Sequence, residues 1–250
     1  MSAPVVLSLM AHPDDAEFLC AGALARLADL GWAVHVATMT PGDCGSVELP
    51  PDEIARRRRA EGAAAAAVLG ATYHCLERRD LLLFYDEPTL REAVRLLRRV
   101  RPRLLLTHSP ADYLPDHEVT SLVARAAAFA APVPNLFRGD VSEPTTDHVP
   151  HLYYADPIEG KDALGRPVEP QFRVDITAVM DRKTTMLAAH ASQREWLRRQ
   201  HGMDQYLEAM RAWAARQGSA AGVAYAEGYR QHLGHSYPQD DLLGDTLGRM

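Results

Sequence analysis

Apolar and polar positions alternate in blocks along the first 130 residues. Residues 4–10 (PVVLSLM) form a short, β-branched apolar run that ends in a polar cluster, the pattern of a buried strand. Residues 15–30 carry apolar side chains at helical spacing and stop at Gly31, so they predict a helix. Residues 32–40 (WAVHVATMT) read as a second strand. A strand–helix–strand order makes the two strands parallel neighbours. The alternation continues with a helix over 51–69 closed by Gly70, an extended piece over 72–76, and a helix over 89–100. A strand over 103–107 (RLLLT), the loop HSPADYLPDH and a helix from Glu118 to about Ala131 follow. The block order predicts an α/β, Rossmann-like fold: a mostly parallel sheet with helices on both faces.

Beyond residue 131 the alternation weakens. Residues 132–150 hold four prolines, at 132, 134, 144 and 150, and read as loop. Residues 151–156 and 172–176 predict two more strands, and 177–200 and 203–217 two long helices. No linker interrupts the chain. The expectation is a single domain over 1–250, with a core over 1–131 and a C-terminal α+β elaboration over 132–250.

Composition narrows the function classes. Hydrophobic residues make up 47% and charged residues 24% of 250, which excludes a disordered chain. The net charge of −6 argues against nucleic acid as a partner. Arg56 to Arg59 surround their helix rather than forming a stripe. Three cysteines make no disulfide framework, and no apolar run reaches the ~18–20 residues of a membrane span. The N-terminus lacks the charged region and cleavage site of a signal peptide. A cytoplasmic location is expected.

The chemistry concentrates at two strand ends. Ala11-His12-Pro13-Asp14-Asp15-Ala16-Glu17 follows the first strand, and Asp112-Tyr113-Leu114-Pro115-Asp116-His117 follows RLLLT. In a parallel sheet both loops lie on one edge, where ligands bind. His12 and Asp15 are three apart and can point the same way in a helical first turn. Together with His117 they make two imidazoles and a carboxylate, a set suited to catalytic zinc with an open fourth position. A purely structural reading stays open, in which Asp14 or Asp15 caps the helix and the histidines border it.

The opening heptad matches the A-H-P-D-D-x-E signature in full, and the chain resembles the zinc-dependent N-deacetylases of the PIG-L/LmbE-like family. The resemblance extends in register through Thr38–Asp43, Arg58-x-x-Glu61, Asp80, Pro115-Asp116-His117, Lys183 and His190-Ala191-Ser192-Gln193, roughly residues 5–195. It implies zinc ligands His12, Asp15 and His117, Asp14 as general base, and Arg58 and Asp80 as substrate contacts. It implies hydrolysis of the N-acetyl amide of an N-acetylglucosamine-type sugar or conjugate, and it is compatible with a homo-oligomer.

One position departs from the pattern. The family usually reads H-P-D-H, and Leu114 stands in place of its first histidine. Leucine can neither stabilise an oxyanion nor protonate an amine. His190, His232, His235 and Tyr113 are the candidate replacements. His232 is expected to take the role, with the segment 225–235 folding back to within about 8 Å of the metal, as an oxyanion donor requires. Two alternatives accompany this reading: a metal-binding homologue with altered or lost catalysis, and an amidase on a bulkier conjugate. Trp196 and Trp213 read as core residues on helices.

Overall fold

The computed structural model describes residues 3–194 and 205–250. Seven strands form one sheet in the order β3-β2-β1-β4-β5-β7-β6. The strands are β1 (Val5–Met10), β2 (Ala33–Thr38), β3 (Thr72–Cys75), β4 (Leu104–Thr107), β5 (His151–Ala155), β6 (Phe172–Asp175) and β7 (Ala226–Gln231). The first five are mutually parallel, and β7 runs antiparallel between β5 and β6. This is the predicted α/β architecture. The C-terminal half adds three strands to the same sheet.

The two faces of the sheet bury separate apolar layers, as side-chain alternation along a strand requires. Val6, Leu104, Leu106, Tyr153 and Tyr229 pack with α1 (Asp15–Leu19) and α2 (Ala21–Asp29) on one face. Leu7, Leu9, Leu105 and Leu152 pack with α4 (Glu87–Val100) and α5 (Pro115–Ala130) on the other. The chain also forms α3 (Pro51–Ala67), α6 (Met180–Ala188), α7 (Gln205–Ala221) and α8 (Leu242–Leu247). Among the described residues no helix is long and apolar enough to cross a membrane.

Four local differences from the sequence reading have physical causes. The helix expected over 15–30 breaks at Cys20 into α1 and α2. The break frees the Gly22 and Ala23 N–H groups to donate to the Glu227 carboxylate at 2.8 Å each. Gly22 is required there, since a Cβ would lie 2.5 Å from Ile176 Cγ2. The helix expected from Glu118 begins at Pro115, the first-turn position where a missing N–H costs nothing. The helix expected over 177–200 ends at Ala188, and its last stretch lies outside the described residues, as does Trp196. Residues 226–231 of the segment expected to close over the metal instead form the strand β7, which pairs with β5 and β6.

Several family-like residues turn out to brace these elements. Lys183 Nζ donates to Phe18 O at 2.7 Å and lies 2.5 Å from Glu227 Oε1, with both side chains buried. Glu61 accepts from the Ser192 N–H and hydroxyl at 2.9 and 2.6 Å. Glu17 Oε2 lies 3.5 Å from His190 Nε2. These contacts tie α6 and the turn after it to β7, α3 and α1.

Candidate active site

Strand order reverses direction between β1 and β4, the one place in such a sheet where adjacent loops leave toward opposite faces. The loop after β1 enters α1 on one face, and the loop after β4 enters α5 on the other. The crevice between them holds His12, Asp15 and His117. One ligand atom from each lies within 4.8 Å of the others, and all three residues are buried. His12 Nδ1 is 3.3 Å from Asp15 Oδ2, and His117 Nε2 is 3.5 Å from Asp15 Oδ1.

The remaining ring nitrogens both meet carboxylates. His12 Nε2 lies 3.0 Å from Asp80 Oδ1 and 3.2 Å from Asp116 Oδ2. His117 Nδ1 lies 3.0 Å from Asp112 Oδ1. Such outer partners fix the tautomer and aim of a metal-ligating imidazole. Three further groups, His108–Asp112–His117, His12–Asp80–Asp116 and Asp43–Cys44–Asp80, meet the same spacing. Their carboxylates are already used by backbone donors: Tyr113 N–H to Asp112 at 2.7 Å, Cys44 N–H to Asp80 at 3.2 Å and Leu81 N–H to Asp116 at 2.8 Å. Asp15 also accepts a backbone N–H, from His12 at 2.7 Å, but through Oδ2, which leaves Oδ1 facing His117.

The electrostatics favour a cation here. Burial opposes charge on both imidazoles, but the surrounding carboxylates outweigh it and raise His12 well above its ordinary value and His117 to about 9. Burial likewise opposes ionisation of Asp15, yet His117 and His108 hold its carboxyl well below the usual range.

Asp14 stands beside the set and off it. Its backbone has φ 102°, a left-handed conformation that costs a non-glycine residue ~1–3 kcal/mol. Arg58 holds the turn: Nη2 donates to Pro13 O at 2.7 Å and approaches Asp14 Oδ2 at 3.4 Å. Burial pushes the Asp14 carboxyl up, and the Arg58 charge offsets part of that rise. Gly42 is needed opposite, because it has φ +70° and a Cβ would collide with the Arg58 guanidinium.

Two expected substrate contacts are engaged within the chain, and one expected donor is displaced. Arg58 is 4% exposed, and its hydrogen bonds go to Pro13, Asp14 and Gly42, bracing the Asp14 turn. Asp80 is 6% exposed and engages His12 and the Cys44 N–H. His232 is far from the crevice. Its N–H donates to Leu152 O at 2.8 Å, and Leu152 stands level with Leu105 and Leu7. β1 runs three residues beyond Leu7, about 10 Å at the ~3.3 Å rise of a strand, before the loop that carries His12. The cause is strand direction: β7 runs antiparallel to β5, which carries His232 away from the metal edge to Tyr154 and Tyr237.

The other candidate donors divide. His235 is exposed, and His190 is fully buried beside Glu17. Tyr113 packs edge-on against His117, with centroids 5.4 Å apart at 82°, and its side chain is half exposed. Partial burial and the charges of Asp15, Asp112 and Asp14 raise its hydroxyl pKa, so it stays a proton donor.

Sequence reasoning assigned nothing to His108, Asp112 or Tyr206. His108 stacks on His117 at 3.8 Å and 13°, lies 3.1 Å from Asp15 Oδ2, and is kept neutral by burial. Its position directly after β4, at the carboxyl end of a central strand, was the available signal. Tyr206 hydrogen-bonds Asp14 from α7, a long-range contact with no local signature.

Comparison with known proteins agrees with this geometry. The model of a family described as PIG-L, GlcNAc-PI de-N-acetylase, matches residues 7–128, the span that contains the whole His12–His117 site. The chain is 30% identical over 239 residues to the 1D-myo-inositol 2-acetamido-2-deoxy-alpha-D-glucopyranoside deacetylase of Nakamurella multipartita, covering 77% of this chain and 80% of that protein. It is 28% identical over 234 residues to the diacetylchitobiose deacetylase of Thermococcus kodakarensis, covering 90% and 82%. The solved structure of the 4-carboxy-2-hydroxymuconate hydratase of Pseudomonas putida is similar with TM-score 0.78 at 25% identity, over 96% of this chain and 99% of that one. Site and relatives together make this chain an enzyme of the PIG-L/LmbE-like family of N-deacetylases.

Proposed function

We propose that this protein is a zinc-dependent hydrolase that removes the N-acetyl group from an N-acetylglucosamine-type sugar or sugar conjugate. The observation that carries the reading is the His12–Asp15–His117 donor set beside a buried, strained Asp14. The residues fit such an ion: two nitrogens and a carboxylate oxygen converge, and each outer ring nitrogen has a carboxylate partner. When bound, zinc supplies a Lewis acid and brings the pKa of water toward ~7.

The chain's own residues supply the rest. Asp14, with its carboxyl raised by burial, accepts the proton of the attacking water and returns it to the departing amine. Arg58 keeps that carboxylate aimed, and Asp80, Asp112 and Asp116 keep the imidazoles aimed. Tyr113 serves as the donor that Leu114 cannot be, toward the oxygen that gains charge. The three cysteines are free, in keeping with a reducing, cytoplasmic setting.

The test is release of primary amine from N-acetylglucosamine, its disaccharide and its glycosides by the zinc-loaded protein. Release that stops on chelation and returns with zinc supports the reading. A zinc-replete protein that releases no amine from any of them overturns it. A second reading, hydration of an unsaturated carboxylic acid at the same edge, is favoured by Leu114 and by the likeness to a hydratase. It would show as loss of substrate absorbance without amine release.

A further inference from the structure

Arg230 takes no part in the chemistry above, yet it stands at the same edge of the sheet. It pairs with Tyr154 across β7 and β5, and Tyr154 pairs with Thr107, the last residue of β4. Its Nη2 donates to Ser109 Oγ at 2.7 Å. Ser109 follows His108, whose Nε2 is 3.1 Å from Asp15 Oδ2, so the guanidinium flanks the loop that builds the metal edge. The Ser109 hydroxyl donates to Ala111 O and also accepts from the Ala111 N–H, which fixes the loop in this position.

The guanidinium is only partly used. It has five N–H donors, and Ser109 is its single hydrogen-bond acceptor among the described residues. Its Nε is buried without a partner, and no described carboxylate lies within 4 Å. Asp156 and Asp112 lie within electrostatic range but make no ion pair with it. A half-buried cation with open donors beside a reaction centre matches an incoming anion. A planar fork matches the two oxygens of a carboxylate. The nearby Asp112 would repel a phosphate dianion more than a monoanion, which selects a carboxylate.

We propose that Arg230, held in place by Ser109, forms a subsite for a carboxylate on the substrate, so that the enzyme prefers an acidic amino-sugar derivative to its neutral parent. The proposal rests on reading the His12–Asp15–His117 edge as the reaction site.

The experiment is calorimetric binding of glucosamine and muramic acid to the zinc-loaded protein. The two differ by a lactyl carboxylate, and neither carries an amide to hydrolyse. Wild type is expected to bind muramic acid about tenfold tighter or more, the scale of a charge-assisted hydrogen bond. Arg230→Met should abolish that preference with zinc content and glucosamine affinity unchanged. Arg230→Lys, which keeps the charge but loses the fork, should retain part of it. Equal binding of the two sugars by wild type, failure to bind muramic acid, or equal weakening of both by Arg230→Met overturns the subsite. Absent amine release with the preference intact removes the amidase reading alone; amine release without the preference removes the subsite alone.

Discussion

Asp14 concentrates the functional demands of the site in one residue. Its carboxylate meets Arg58 while that of Asp15 meets His12 and His117, so that neighbours in sequence have different partners. Substituting Asp14→Asn preserves the size and the Arg58 contact while removing the base. We expect kcat to fall by ~10²–10⁴ with zinc stoichiometry unchanged, read by steady-state kinetics and metal analysis. Near-normal kcat would move the base elsewhere. Tyr113 makes a separable prediction. Tyr113→Phe keeps the edge contact with His117 and removes only the hydroxyl. A loss of ~10²–10³ in kcat is expected for a lost oxyanion donor. A rise in KM at constant kcat would instead make Tyr113 a binding residue.

At the scale of elements, the Lys183–Glu227 pair joins three parts of the fold. Glu227 on β7 accepts from two N–H groups that open α2, from the Tyr229 hydroxyl and from Lys183 of α6. Glu227→Gln leaves a buried ammonium without its counter-charge. The expected cost is ~3–5 kcal/mol in urea unfolding, with zinc affinity little changed, because the metal edge lies on other elements. Adding Lys183→Met to Glu227→Gln should recover part of the loss, since it removes the stranded charge. A pair of independent, additive losses would show that the two residues are not coupled.

Asp156 gives the whole molecule a pH dependence that is separate from catalysis. It is 3% exposed at the end of β5, and burial pushes its carboxyl up to about 7 from the ordinary 3.8. The folded chain therefore holds a proton there that the unfolded chain releases. The stability from this group is present below about pH 4 and drains away as pH rises toward 7. The full change is on the order of 4 kcal/mol at ~1.4 kcal/mol per unit. Asp156→Asn has no such titration. Its stability relative to wild type should increase between pH 5 and about pH 7 and level off above that in denaturant unfolding. A constant difference across that range would mean that Asp156 is already ionised at pH 5.

The sequence by itself determined the residues that local spacing can express. The heptad from Ala11 to Glu17 and the Pro115-Asp116-His117 triplet sit at strand ends, so the parallel order of β1 and β4 was enough to bring His12, Asp15 and His117 together. The sheet class was legible for a similar reason, because the central strands β1 and β4 are buried on both faces and read as nearly continuous apolar runs. β7 gave no such signal: its inward positions include Glu227, whose charge is tolerated only because Lys183 and α2 meet it in space. Only the tertiary structure decided that Arg58 and Asp80 turn inward, that His108 and Asp112 support the histidines, and that the direction of β7 takes His232 away from the metal edge while leaving Arg230 beside it. Apart from Asp112, five residues from His117, those outcomes depend on contacts between segments 44 to 121 residues apart, and the periodicity of a chain encodes which face a residue takes, not which distant side chain will meet it there.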